Sequence, residues 1–270
     1  MNTKGEHLKK KHLQILISIC LTLVVCFILI PFSKYFLLAS YQETGINHKV
    51  QQFPIKIETP EKITAPTITQ ILANKETSSQ VLGQVIIPKV NIVQPIFAGL
   101  TNKHMVQGVV SLFPTRRPNK KTLTLIGHHV LYYNWGNSLL FGGIQDLKIG
   151  DPVYLSYLKD NYTYKVESNV TIKATDINRL ADKGPNYLML VTCNTSQTTP
   201  YRILVTAKKI QDKQDKIRTT DFKKIINKTK LHQHQQYIKI FILPLLLILF
   251  IYLLLLYFVW YDNKAKDTSK

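Results

Sequence analysis

Two apolar blocks at opposite ends decide most about what this 270-residue chain can become. LQILISICLTLVVCFILI runs from Leu13 to Ile30 and IFILPLLLILFIYLLLLYFVW from Ile240 to Trp260, neither interrupted by a charge. At about 1.5 Å per residue, each is long enough to cross most of a hydrocarbon layer of roughly 30 Å. Both are read as membrane-spanning helices. Pro244 falls near the start of the second, where a lost backbone hydrogen bond is best tolerated. A cleaved signal peptide competes for the first block, because Lys4, Lys9, Lys10 and Lys11 precede it. The block exceeds an ordinary signal core, and Leu38-Ala39-Ser40 is a poor cleavage site, so an uncleaved anchor is expected.

Those four lysines, against only Lys34 and Lys49 within about twenty residues beyond the block, predict an internal N-terminus and, with two spans, an internal C-terminus. The second span opposes this locally: ten Lys or Arg lie from Lys208 to Lys239 and three after Trp260. Long translocated domains largely ignore such bias, so the two-pass topology stands. The net charge of +19 then belongs mostly to a domain outside the membrane. It is dispersed rather than clustered, which argues against nucleic acid and for an anionic lipid or wall surface, with simple solvation as the alternative. Cys20 and Cys26 sit in the first apolar block and leave Cys193 alone in the ectodomain. No disulfide within that domain can form, and the lone thiol invites a chemical role.

Between the blocks, residues 39–80 are polar and proline-dotted and read as a stalk, with one short helix at its end. From Val81 to Ile210, short β-branched or aromatic runs alternate with Gly, Pro and Asn. Strands are expected at Gly83 to Ile87, Ile92 to Phe97, Thr122 to Ile126, Val153 to Tyr157, Tyr162 to Val166, Val170 to Lys173, Leu188 to Thr192 and Ile203 to Lys208. Eight short strands make the fold class all-β, a barrel or sandwich, with brief helices near Lys103 to Gly108 and Ser138 to Leu147. Residues 211–239 form a basic linker, either a second stalk or a charged helix. Its His232-Gln-His234 tract lacks an acidic partner and reads as solvated surface, not a metal site.

Thiol catalysis needs a nucleophile, a proton carrier and a holder of oxyanion charge. Cys193 closes one strand and Arg202 opens the next. If those strands are antiparallel neighbours, the two meet at the same end. There the guanidinium would anchor a substrate carbonyl, stabilise an oxyanion or make a rim salt bridge. T-L-T-L-I-G-H-H, ending on His128 and His129, brings another strand into a histidine pair, of which extended geometry lets at most one aim at Cys193. His104, isolated in a helical stretch, has no such placement. With ordinary pKa values near 8.5 and 6.5, independent titration leaves under about 1% of sites as a thiolate–imidazolium pair at pH 7.

G-H-H after T-L-T-L-I, L-V-T-C at a strand end and Arg202 opening the next strand resemble the sortases, membrane-anchored cysteine transpeptidases of Gram-positive surfaces. I-I-P-K-V-N-I-V-Q-P-I-F-A-G-L from Ile86 and N-S-L-L-F after the histidines extend the resemblance over about Val81 to Ile210. It implies an eight-stranded sortase-type β-barrel, which the two apolar blocks read above would flank as transmembrane helices. It also implies Cys193 as nucleophile, His128, which follows Gly127, as general acid/base, and Arg202 as the transition-state residue. The substrates implied are surface proteins with a C-terminal LPxTG-like signal, cut between Thr and Gly through a thioester. The acceptor is an amine of a lipid II-type wall precursor or of a pilin; no cofactor or nucleic acid is involved. The implied layout is 1–12 cytoplasmic, 13–38 anchor, 39–80 stalk, 81–210 catalytic domain, 211–239 basic linker, 240–260 second span and 261–270 cytoplasmic tail.

Departures from the family pattern leave the subclass open. Met189 stands where the first threonine of T-L-x-T-C is usual, which bears on the signal recognised. The barrel motifs look like class A, whereas a C-terminal span is typical of pilin-building class C, whose D-P-[WFY] lid motif is absent between Tyr41 and Val81. Asp176 and Asp182 are too sparse for the calcium site of some class A members. A non-catalytic tethered β-domain that binds wall polymer is the remaining alternative.

Overall fold

The computed structural model describes residues 3–45, 57–73, 81–130, 139–158, 160–196, 199–210 and 219–267. They fall into two compact units, Met1–Phe36 with Tyr237–Lys270, and Leu37–Gln236.

In the first unit, α1 (Thr3–Gly45) and α5 (Leu243–Asp267) run antiparallel. The Gln14 amide donates to the Val259 carbonyl at 2.7 Å, the Thr22 and Tyr252 hydroxyls lie 3.0 Å apart, and the Phe32 and Phe241 rings are 5.6 Å apart. Polar side chains in apolar helices are stable when paired across the interface, and these pairs set the register of the hairpin. Lys10–Ser40 and Thr220–Tyr261 are helical stretches long and apolar enough to be candidate membrane spans. A π turn at Ile238–Ile242 joins α4 (Thr219–Tyr237) to α5. It ends just before Pro244, whose ring removes an N–H from the helical ladder, and the wider turn accommodates that loss.

The second unit is built on a closed barrel of eight strands. They are β1 (Val81–Ile87), β2 (Ile92–Ala98), β3 (Val109–Ser111), β4 (Leu123–Ile126), β7 (Pro152–Tyr157), β8 (Asp160–Lys173), β9 (Tyr187–Cys193) and β10 (Tyr201–Lys209). Their order around the barrel is β1-β2-β3-β4-β9-β10-β8-β7, which is the eight-stranded all-β class expected. Two further strands, β5 (His129–Val130) and β6 (Leu139–Leu140), form a separate ribbon. Strand alternation fills the interior with Val85, Ile96, Leu125, Leu155, Leu190 and Val205, all buried. Tyr157 and Tyr164 also face this core, and burial pushes the Tyr157 phenol up to about 12, so it stays neutral. β2 and β3 are parallel and need a crossover, which α3 (Asn102–Gln107) supplies, capped by the Thr101 hydroxyl accepting from the His104 N–H. Gly83 is required where β1 meets β7: a Cβ there would lie 1.9 Å from the Ser156 carbonyl oxygen.

Several elements differ from expectation. The two strands expected at Tyr162 to Val166 and Val170 to Lys173 are one, β8, paired along β10 with an irregularity at Thr206/Ala207 that absorbs the twist. β3 and the β5–β6 ribbon were not anticipated, being only three and two residues long. The helix expected from Ser138, itself outside the described residues, is a 3₁₀ turn at Gly142–Asp146. Parts of the stalk (46–56, 74–80) and of the linker (211–218) also lie outside them, but single residues anchor what is described. Within 57–73, Glu61 accepts from both the backbone and the amide of Asn102, and Ile71 of α2 (Ile68–Ala73) is buried. From the linker, α4 sets Phe222, Ile225 and Ile226 against Ile86, Val93 and Tyr154 on the barrel exterior. Their i, i+3, i+4 spacing is an apolar stripe inside a charged sequence.

Candidate active site

β9 and β10 are antiparallel neighbours, and Cys193 pairs directly with Arg202. Leu188 and Leu190 point into the barrel while Met189 and Val191 lie in an outer cluster, so alternation puts Cys193 on the outer face. On β10, Ile203 and Val205 are interior and Leu204 is outer, which gives Arg202 the same face. Directly opposed residues have Cβ atoms about 5 Å apart. A half-buried thiol and a guanidinium thus share the barrel rim. The guanidinium is held: its Nη1 donates to the Thr199 carbonyl at 2.7 Å, just before β10, and to the Tyr201 carbonyl at 2.8 Å, at the first residue of β10.

The histidine segment arrives by a different device. β4 runs parallel to β9, and their pairing ends at Ile126 with Val191. Past that point the Gly127 N–H donates to the Val191 carbonyl at 3.1 Å, and the Thr192 hydroxyl donates to the Gly127 carbonyl at 2.9 Å. Gly127 is the only residue that fits: a Cβ would stand 2.6 Å from the Phe141 Cβ. The chain then swings away to β6, with the Phe141 N–H donating to the His128 carbonyl at 2.9 Å. His128 and His129 are both buried beside the Cys193 strand end. His129 Nδ1 lies 2.7 Å from the Cys193 carbonyl oxygen. Burial lowers the His129 pKa below 6.5, partly offset by that hydrogen bond and by the charge of Asp146.

The three residues singled out from sequence therefore lie at one end of the barrel: Cys193 and Arg202 on the consecutive strands β9 and β10, and His128 just past the end of β4, some sixty residues earlier in the chain. His104 is elsewhere, stacked on Phe97 with its Nδ1 2.9 Å from the Gly99 carbonyl oxygen. Met189 is fully buried in the outer cluster with Ile172, Val191 and Leu204, and Leu180 packs over them. Its effect on any bound peptide is thus exerted through packing and not by contact at the surface. Sequence reasoning missed the His129–Cys193 contact and the Thr192–Gly127 bond. The signal for the first was present in the adjacency of two histidines, one of which had to face away from the other. Among the described residues, no group of three or more His, Cys, Asp or Glu side chains is gathered for a metal ion.

A thiol that can attack a carbonyl, an imidazole segment that can carry a proton and a fixed guanidinium make an arrangement suited to acyl transfer through a thioester. The family model of the sortase domain matches residues 85–210. Sortase A of Listeria monocytogenes is 26% identical over 146 residues, 53% of this chain and 64% of the relative. YwpE of Bacillus subtilis, named as a sortase, is 30% identical over 81 residues, 30% of this chain and 76% of the relative. A crystal structure of the Listeria sortase A superposes with a TM-score of 0.48 and 24% identity, covering 54% of this chain and 97% of that one. The chain belongs to the sortase family, a family of transpeptidases, and spans just under two thirds of the Listeria relative's length.

Proposed function

We propose that this chain is a cysteine transpeptidase acting on proteins that carry an LPxTG-like sorting signal. The observation that carries the reading is the direct pairing of Cys193 with Arg202 beside the 127–129 segment. The Cys193 thiolate attacks the carbonyl carbon of the Thr–Gly bond, and Arg202 stabilises the oxyanion. The intermediate collapses with cleavage of the C–N bond, His128 in its imidazolium form protonating the leaving glycine amine. An incoming amine then attacks the thioester, gives its proton to His128, and breaks the C–S bond to restore the thiolate. His128 alternates between acid and base, so no net proton is consumed.

The antiparallel contacts between α1 and α5 support a two-pass protein with both termini on one side of the membrane, and the lysines before the first span assign that side to the cytoplasm and the barrel to the outside. The candidate second span favours, as a second reading, a sortase that joins pilins. Incubation of the purified chain with LPxTG-variant peptides and either a glycine-type or a lysine-type amine, read by mass spectrometry, tests both readings. Transfer to the glycine amine between Thr and Gly is expected, and it must vanish in Cys193→Ala. Transfer to the lysine amine alone assigns the pilin reading, and undiminished transfer by Cys193→Ala removes the thiol mechanism.

A further inference from the structure

One buried imidazole is left over from this reaction. His129 is 4% exposed, and its Nδ1 contacts the Cys193 carbonyl oxygen at 2.7 Å. A carbonyl oxygen only accepts, so Nδ1 carries the proton and, in the neutral ring, Nε2 carries the lone pair. Nε2 is itself buried, with no hydrogen-bond partner among the described residues.

The contact takes its meaning from its place in a series. Backbone pairing of β4 with β9 stops at Ile126 and Val191. The next ties, each further toward the rim, are Gly127 N–H to Val191 and the Thr192 hydroxyl to Gly127. The His128 carbonyl has by then turned to Phe141, leaving the backbone unable to continue. The His129 side chain makes the last tie, and it makes it to the residue that bears the thiol.

We propose that His129 is a positioning residue: its Nδ1–H holds the Cys193 carbonyl, fixing the peptide plane after the nucleophile and so the direction of its Sγ relative to His128 and Arg202. The inference rests on the transpeptidase reading above and assigns the histidine pair two separate tasks, proton transfer to His128 and alignment to His129. His129 acts through Cys193 and touches no substrate atom. Ring packing alone is the competing account, since a Cβ on Gly142 would lie 3.4 Å from the His129 Cδ2. The two accounts separate by substitution. Phenylalanine keeps a ring and loses the donor; asparagine loses the ring and keeps a donor near the Nδ1 position.

The test uses the full-length, detergent-solubilised chain. Turnover of an LPxTG peptide with an amine is measured across pH 5 to 9, alongside iodoacetamide alkylation of Cys193 followed by peptide mapping, which excludes Cys20 and Cys26. His129→Phe should lower kcat by about 10- to 100-fold, the range for loss of a group that orients a reactive one, with KM changed by less than about threefold. Alkylation of Cys193 at pH 7 should slow by about tenfold. His129→Asn should recover both rates to within about fivefold of the parent, with the limbs of its pH–rate profile unmoved. Should His129→Phe fail to melt cooperatively, His129→Gln replaces it, because its donor lies one bond further out and should not restore the rates.

Full activity and alkylation in His129→Phe would overturn the inference. So would an asparagine variant no faster than the phenylalanine one, or loss of the acidic limb in His129→Asn, which would make His129 the proton carrier itself. If the parent transfers no peptide, the transpeptidase reading fails, while the alkylation rates of the three proteins still decide the alignment claim.

Discussion

The two sides of the barrel rim are assembled by opposite means. On the Cys193–Arg202 side, β9 and β10 pair without interruption from Arg202 with Cys193 to Lys208 with Tyr187, and β8 backs β10 along its whole length. On the histidine side, β3, β5 and β6 have three, two and two residues, and side chains replace the backbone ladder beyond the Gly127 N–H. The first side is held by repeated, cooperative hydrogen bonds. The second depends on a few individual ones, so single substitutions should act there out of proportion to the atoms removed.

The largest expected effect lies on the well-paired side and is chemical. Arg202→Ala should lower kcat/KM by about 10² to 10³, as for loss of one oxyanion contact, while a urea melt shows nearly unchanged stability. A comparable loss of stability would move Arg202 from chemistry to structure. On the other side, Gly127→Ala should cost about 1–3 kcal/mol by forcing Phe141 aside, and should reduce turnover with it, measured by denaturant unfolding and peptide transfer. If turnover is lost with no change in stability, the corner is more pliant than its packing implies. Thr192→Val keeps shape but strips the hydroxyl from the Gly127 carbonyl; about 1 kcal/mol is expected in the same melt.

The smallest expected effect is pH-dependent. His129 has its folded-state pKa lowered, so protonation favours the unfolded chain. Its contribution is complete above pH 6.5 and is lost as pH falls from there through the lower folded value. Tm should therefore drop between pH 7.5 and 5.0, and His129→Asn should flatten part of that drop. An identical pH dependence in the variant would remove His129 as its source.

This contrast also explains what the sequence disclosed. L-M-L-V-T-C and R-I-L-V-T-A announce two strands by alternation, and the short polar loop between them implies that Cys193 and Arg202 share an end. Neighbouring strands in the chain made that juxtaposition a local inference. The path of His128 to the same place runs through a parallel β4–β9 pairing between segments some sixty residues apart, and no periodicity encodes which distant strand a short run will join. Resemblance to the sortases, and not pattern alone, singled out His128 over His129. The docked strap at 57–73 and the docking of α4 were hidden for another reason: their few apolar anchors, Ile71 and Phe222 among them, are diluted by polar and charged neighbours.

The tether on Arg202 has one more consequence. A guanidinium carries five N–H donors in a fixed plane, and the two bonds to Thr199 and Tyr201 engage one of its nitrogens. Among the described residues Nε and Nη2 make no hydrogen bond, so their hydrogens are open to other acceptors while the group as a whole stays anchored. A lysine has all three donors on a single rotating nitrogen and cannot be both moored and available in that way. The charge at this rim is therefore interchangeable between the two side chains, but the geometry is not, and edits to the loop at Thr199 should re-aim the guanidinium without touching it.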